Sequence, residues 1–225
     1  MTRVIVDIET VPLEWEDLDE EERHYLLKHA KTEEEQTEVV DKLGLSAFTG
    51  RVVAIAMLNP DSGRGIVLSE GLAGEGSAWA HEGGSEFWTG NEVEILERFW
   101  DLIKRYDQMI TFNGRGFDAP FLIIRSLILG VPISRNLLPN RYRTTDHFDL
   151  CDVLSFFGLT RRYSLDFICR RIGVGPAKTR MAGHEVAQAY RDGRMEEIAQ
   201  YCLRDVEATA RLFDRVETLL GPMFE

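Results

Sequence analysis

No run of about 18 apolar residues occurs in this chain, so the sequence offers no helix able to span a bilayer. The opening stretch MTRVIVDIET has no long apolar core followed by a small-residue cleavage site, and it reads as a first strand, not a targeting signal. Cysteine is scarce. Cys151, Cys169 and Cys202 are odd in number and no two have metal-ligand spacing, so they read as reduced core thiols of a cytoplasmic protein, not as a disulfide framework. There is no internal repeat, no low-complexity linker and no break in composition. A chain of 225 residues then suits one sizeable core, and a single domain over 1–225 is expected.

Positive charge is also short. Against 38 Asp and Glu stand 26 Lys and Arg, a net of −12. The distribution matters more than the sum. Residues 14–41 hold twelve acidic side chains and three basic ones, a net of −9. Residues 135–194 hold eleven basic against six acidic, a net of +5. A locally basic surface can therefore exist in an acidic protein, although solvation of an ordinary surface explains either run equally well.

What is present reads as an α/β protein. Arg3–Ile8 alternates as a strand, with Val4, Val6 and Ile8 on one face and Ile5, Asp7 and Glu9 on the other. The polar stretch 16–42 suggests one or two surface helices, an acidic insertion over about 14–45. Further strands are predicted at Arg51–Leu58, ended by Asn59-Pro60-Asp61, at Gly65–Ser69 and at Gln108–Phe112. Residues 70–90, rich in Gly, Ser and Trp, read as loop. Val93, Leu96, Trp100 and Ile103 recur at helical spacing, and a helix is expected from near Asp118. Helical stretches follow at 147–157, 164–172 and 184–192. The last helix carries a continuous stripe of Met195, Ile198, Cys202, Val206, Thr209, Phe213, Val216 and Leu220. Short turns between the early strands imply antiparallel pairing, and the later strand–helix–strand crossing implies a parallel neighbour. The expectation is a mixed central sheet flanked by helices.

Four acidic residues in three segments invite a chemical reading. Asp7 and Glu9 leave one face of a strand, and a buried carboxylate pair is unfavourable unless a cation neutralises it. Asp118 follows a Gly-containing turn, where it could equally be a helix N-cap. Tyr201 and Asp205 lie four apart on the last helix, beside its apolar stripe, as an ordinary boundary pair also would. Together the four carboxylates suit phosphodiester hydrolysis. Two divalent ions, ~3.5–4 Å apart, clamp the attacking and leaving oxygens of an in-line displacement, and four carboxylates balance their charge. A tyrosine beside them could orient the attacking water.

Asp7-Ile8-Glu9-Thr10, Asn113-Gly114-Arg115-Gly116-Phe117-Asp118 and Tyr201-Cys202-Leu203-Arg204-Asp205 resemble, in order, the three exonuclease motifs of the DEDD superfamily. The tyrosine of the third motif resembles the DEDDy branch. Phe112–Asp118 and His147-Phe148-Asp149-Leu150 further resemble stand-alone exonucleases related to the proofreading domain of family B DNA polymerases. The resemblance covers roughly 1–10 and 51–220. It implies a ribonuclease H-like fold, two Mg²⁺ or Mn²⁺ ions, and 3′–5′ removal of mononucleotides from single-stranded ends. It would make Asp7, Glu9, Asp118 and Asp205 the metal ligands and Tyr201 the water-orienting residue. Thr10, Asn113 and Phe117 would lie near the substrate strand, and Lys178 would steady charge on the phosphate.

Single-stranded nucleic acid is then the expected partner, DNA ahead of RNA, with an exoribonuclease, an inactive binding module and a polymerase-associated proofreading subunit as alternatives. Arg115, Arg141, Arg143, Arg161, Arg162 and Lys178 are candidate phosphate contacts, with Phe117 or Tyr163 as base-stacking aromatics or core residues. His147 and His184 could mimic general bases, but both read as capping or surface residues, because the third motif already supplies Tyr201. The acidic segment departs from the resemblance. It could hold a protein partner, and it is expected to point away from the site, since acidic charge there would oppose nucleic acid.

Overall fold

The computed structural model describes residues 1–71, 78–80, 84–175 and 183–223. Seven strands form one sheet: β1 (Arg3–Pro12), β2 (Gly50–Leu58), β3 (Gly65–Glu70), β4 (Ala78–Ala80), β5 (Ser85–Gly90), β6 (Gln108–Thr111) and β7 (His147–Asp149). Their order is β4-β5-β3-β2-β1-β6-β7. The early strands pair antiparallel, β1 with β2 and β2 with β3, while β6 joins β1 in parallel, as the connection lengths imply.

Eight helices accompany the sheet among the described residues: α1 (Glu20–Leu27), α2 (Glu33–Asp41), α3 (Glu92–Ile103), α4 (Asp118–Leu129), α5 (Leu150–Leu154), α6 (Leu165–Ile172), α7 (Gly183–Arg191) and α8 (Met195–Leu220). None is long and apolar enough to cross a membrane.

Strand parity sorts the core into two layers. Val4, Val6 and Ile8 pack with Ile95, Leu96, Phe99 and Leu122 of α3 and α4. Ile5 packs on the opposite face with Ile198, Cys202, Val206 and Phe213 of α8. Asp7 and Glu9 share the parity of Ile5, so they project toward α8.

Two expectations fail. The stretch 70–90 contains a strand: β5 pairs in parallel with β3, from Gly65↔Ser85 to Glu70↔Gly90. Its Ser85, Phe87 and Thr89 are buried alternately, but the Gly- and Ser-rich surroundings hide that period. Residues 147–157 do not begin as a helix. Met109 and Thr111 of β6 pair with His147 and Asp149, and this edge makes a strand before α5 starts. In both cases a distant backbone edge outweighs local composition.

Candidate active site

Asp7 and Glu9 come to the site through a gap in the sheet. β1 pairs with β6 only at Arg3, Val4 and Ile5, and β6 ends at Thr111. Beyond Ile5 that edge of β1 has no neighbouring strand among the described residues, so the Ile8 N–H needs another acceptor. Asp118 provides it: its Oδ1 accepts from Ile8 N at 3.1 Å. The capping reading of Asp118 therefore fails. Phe117 occupies the N-cap position without a side-chain cap, and Asp118, the first residue of α4, reaches across to β1 instead. At Glu9/Thr10 a bulge shifts the register against β2, where Glu9 faces Ala54 and Thr10 faces Val52.

From the other side α8 presents Tyr201, Cys202 and Asp205. Tyr201 and Asp205 lie one turn apart on α8, near enough for each to shift the other's proton affinity. Ligand atoms of Asp7, Glu9 and Cys202 lie within 4.8 Å of one another. Cys202 Sγ sits 3.4 Å from the Asp7 carbonyl oxygen and 3.7 Å from Asp7 Oδ2. All three cysteines are free and buried, as expected. What sequence reasoning missed is that this one underlies the acidic pair. The available signal was that Cys202 lies on the α8 stripe, next to Tyr201.

The electrostatics follow from this convergence. Burial, and after it the charges of Asp118, Glu9 and Asp205, hold the Asp7 carboxyl well above its ordinary range. Burial and the charges of Asp205 and Asp118 do the same to Glu9. Burial raises Asp118 to about 7, with its hydrogen bond from Ile8 opposing, and raises Asp205 to about 6, with Tyr201 opposing. The Tyr201 phenol is pushed up by burial and then by Asp205, Glu9 and Asp7. Glu9 is only 8% exposed. The four carboxylates, Glu9 and Asp118 buried and Asp7 and Asp205 half-buried, supply oxygen donors that fit hard divalent ions, with the Cys202 thiol beside them.

Asp149 organises the turn that carries Asp118. Its Oδ1 accepts from Asn113 N at 2.9 Å and its Oδ2 from Arg115 N at 2.8 Å, while Oδ1 also caps α5 through Cys151 N at 2.9 Å. Asn113 takes φ 64°, a left-handed conformation that asparagine tolerates. Gly114 is required, because a Cβ there would lie 2.5 Å from Thr111 Cβ. His147 is neither a cap nor a surface residue. It is buried, with Nδ1 2.8 Å from the Leu137 carbonyl and Nε2 2.8 Å from Thr111 Oγ1. A carbonyl only accepts, so Nδ1 carries the proton and Nε2 accepts from the threonine. Burial lowers its pKa to about 4, which keeps it neutral.

Residues 45–225 match the sequence model of a family described as predicted 3′–5′ exonucleases related to the exonuclease domain of PolB. The chain belongs to this family. A DNA polymerase of Pyrococcus glycovorans is 31% identical over 138 residues, 54% of this chain and 18% of that protein. DNA polymerase 1 of Saccharolobus solfataricus is 28% identical over 176 residues, 72% of this chain and 19% of that protein. The chain thus spans about a fifth of the length of these curated relatives. The family B DNA polymerase of Pyrobaculum calidifontis superposes with TM-score 0.60 at 20% identity, over 96% of this chain and 24% of that one. The fold is ribonuclease H-like, as in such exonuclease domains. The family match begins at residue 45, so Asp7, Glu9 and the acidic segment lie outside it.

The remaining candidates in this chain divide. Thr10 donates its hydroxyl to the Gly44 carbonyl at 2.7 Å and so ties β1 to the end of the acidic segment. Arg115 is not a phosphate contact in waiting. Its guanidinium donates to the carbonyls of Pro139 at 2.9 Å and His147 at 3.1 Å, bracing the connection into β7. Arg141 and Arg162 both pair with buried Asp152 at 2.6 Å, and Arg143 pairs with Asp146. Arg162 also donates to Asn113 Oδ1 at 3.3 Å, which links α6's approach to the second motif. Arg161 lies 5.1 Å over the Tyr163 ring. Tyr163 stacks on Phe167 with centroids 4.8 Å apart, and both rings are more than two-fifths exposed. Phe117 is half-buried and packs against Phe121 at 5.5 Å. Lys178 lies outside the described residues.

The acidic segment does not point away. Its Glu14, Glu16 and Asp41 line a cavity that also contains Glu9 and Phe117. The reason is topological: β1 feeds the segment directly and β2 takes it back, so both of its ends are held beside the site.

Proposed function

We propose that this chain is a metal-dependent 3′–5′ exonuclease acting on single-stranded DNA ends. It is one exonuclease domain with the acidic segment inserted after β1. Asp7, Glu9, Asp118 and Asp205 are the ligands of two Mg²⁺ or Mn²⁺ ions, and the chain is of the DEDDy type. The observation that carries this is the meeting of Asp7, Glu9, Asp118 and Asp205 from three distant segments in one mutually repelling cluster, half-buried to buried.

Bound ions would supply Lewis-acid charge to the phosphate and a nucleophile at neutral pH. The protein supplies position. Tyr201 keeps its proton throughout the working range, because burial and three carboxylates push its pKa up. It is therefore a donor whose single O–H can aim the attacking water, with Asp205 one turn along α8 beside it. Water oxygen forms a bond to phosphorus, the P–O3′ bond breaks in line, and the departing 3′-oxygen takes up a proton. The products are a nucleoside 5′-monophosphate and a strand one residue shorter with a new 3′-hydroxyl.

The exposed Arg161 and the stacked Tyr163–Phe167 pair meet the strand, by phosphate attraction and base stacking. DNA is the favoured substrate because the relatives are named DNA polymerases. The free, buried thiols fit a reducing, cytoplasmic setting.

The test is cleavage of 5′-labelled single-stranded DNA and RNA with Mg²⁺, Mn²⁺ or EDTA. A ladder shortening from the 3′ end on DNA, abolished by EDTA, is expected. Faster RNA than DNA degradation would move the assignment to an exoribonuclease, and intact strands with folded protein would leave a binding module.

A further inference from the structure

The acidic insertion folds as two short helices that bury little. Neither α1 nor α2 has a fully buried residue. Helices of eight and nine residues are marginal by themselves, and most helices owe their stability to the packing of an apolar face. Here the ends contribute instead. Both helices begin with a capping box, Asp19 with Glu22 and Thr32 with Glu35. The apolar faces are left over. With the turn that leads into β2 they form an open groove of about 850 Å³, walled by Leu18, Tyr25, Leu26, Val39, Leu43 and Phe48. Tyr25 is 65% exposed and Phe48 67%, so most of each ring meets water.

The charge around the groove selects its occupant. Residues 14–41 carry a net of −9, and Glu21 and Glu22 line the groove itself. The nearby cations are engaged. Lys42 pairs with Glu38, Lys28 lies 4.0 Å over the Tyr25 ring, and Arg23 donates to the carbonyls of Trp15 at 3.1 Å and Glu16 at 3.0 Å. Such a rim repels nucleic acid and acidic segments and attracts segments rich in Lys and Arg. Among the described residues the groove is bordered by helices and turns, not by a strand edge. An incoming segment therefore meets side chains and no free backbone ladder, the setting for a helix laid in a groove. The eight residues of α1 offer it a wall about two helical turns long.

We propose that the α1–α2 insertion is a docking site for a basic, amphipathic helix of a protein partner. The partner's apolar residues cover Tyr25 and Phe48, and its Lys and Arg side chains face Glu21, Glu22 and the acidic rim. The walls from Leu18 to Leu43 precede residue 45, where the family match begins, so this surface belongs to the insertion. The inference does not depend on the nuclease reading, because a catalytically silent chain would dock the same helix.

The test uses the full chain and three fluorescent peptides of about 18 residues, roughly five helical turns. The first carries Leu at positions i, i+3, i+4 and i+7 with Lys elsewhere. The second has the same composition, scrambled so that no stripe forms. The third keeps the stripe with Glu in place of Lys. Binding is read by anisotropy at about 0.15 M salt, where unspecific attraction is screened beyond ~8 Å. The first peptide should bind at least about tenfold more tightly than the second, and the third should not bind. In the double variant Tyr25→Ser, Phe48→Ser the preference should fall to about twofold or less, with the melting temperature unchanged because both rings are exposed. Glu21→Lys should weaken the first peptide several-fold. Equal binding of the first two peptides, or a preference that survives loss of both rings, would overturn the inference. So would a dimer of the chain alone, seen in sedimentation, that the double variant disperses, because the occupant would then be a second copy.

Discussion

Four carboxylates in one water-poor site repel each other, and single residues there should behave accordingly. Asp7→Asn removes a charge that burial and three neighbours disfavour. The metal-free variant should be more stable than the wild type by roughly 1–3 kcal/mol, while cleavage falls by a factor of ~10³ or more. Denaturant melts in EDTA and single-turnover rates check the two halves. Tyr201→Phe should lose about 10²-fold in cleavage rate with little change in metal affinity, because the phenol aims a water and does not hold the charge. At this scale the strand parity of Asp7 and Glu9, and the helical spacing of Tyr201 and Asp205, were legible, since both periods are local. The fate of Asp118 was not. Its partner, the Ile8 N–H, is freed only because β6 stops short, and that is a fact about pairing between distant segments. Arg115 was misread for the same reason: its acceptors are backbone carbonyls at the far end of a loop.

Among the elements, the turn from β6 into α4 depends on Asp149, which satisfies two turn N–H groups and caps α5. Asp149→Ala should destabilise the protein by roughly 2–4 kcal/mol, through a lost cap and newly unsatisfied donors. It should also weaken metal binding, by loosening the turn that sets Asp118; thermal melts with and without Mn²⁺ separate these effects. Long periodic elements such as α3 and α8 were legible from sequence because their apolar stripes repeat over several turns. β5 and β7 were not. Three to six residues give few periods, and each owes its conformation to an existing edge, β3 in one case and β6 in the other.

Across the whole molecule, the charge balance has consequences that no single motif carries. Most of the deficit of positive charge sits in the insertion, whose two ends flank the site. The buried cluster adds a pH dependence of definite sign. Asp118 at about 7 and Asp205 at about 6 lie above the usual carboxylate value of 3.8, so the folded protein holds these protons more tightly than the unfolded chain. Their contribution is present in acid and is lost as pH rises through 6 to 7. The metal-free protein should therefore melt lower at pH 8 than at pH 5. His147, lowered to about 4, acts oppositely and will flatten the acid side, so a His147→Gln background should show the cluster's slope more steeply. Net charge alone would have argued against a nucleic-acid enzyme; the placement of the charge is what the fold reveals.

The most direct test of the central claim is thermal melting at pH 8 and pH 5, in EDTA and with increasing Mn²⁺. If Asp7, Glu9, Asp118 and Asp205 form a divalent-cation site, Mn²⁺ should raise the melting temperature by several degrees at pH 8 and far less at pH 5. The shift should vanish in Asp7→Asn. A melting temperature indifferent to Mn²⁺ at pH 8 would contradict the account.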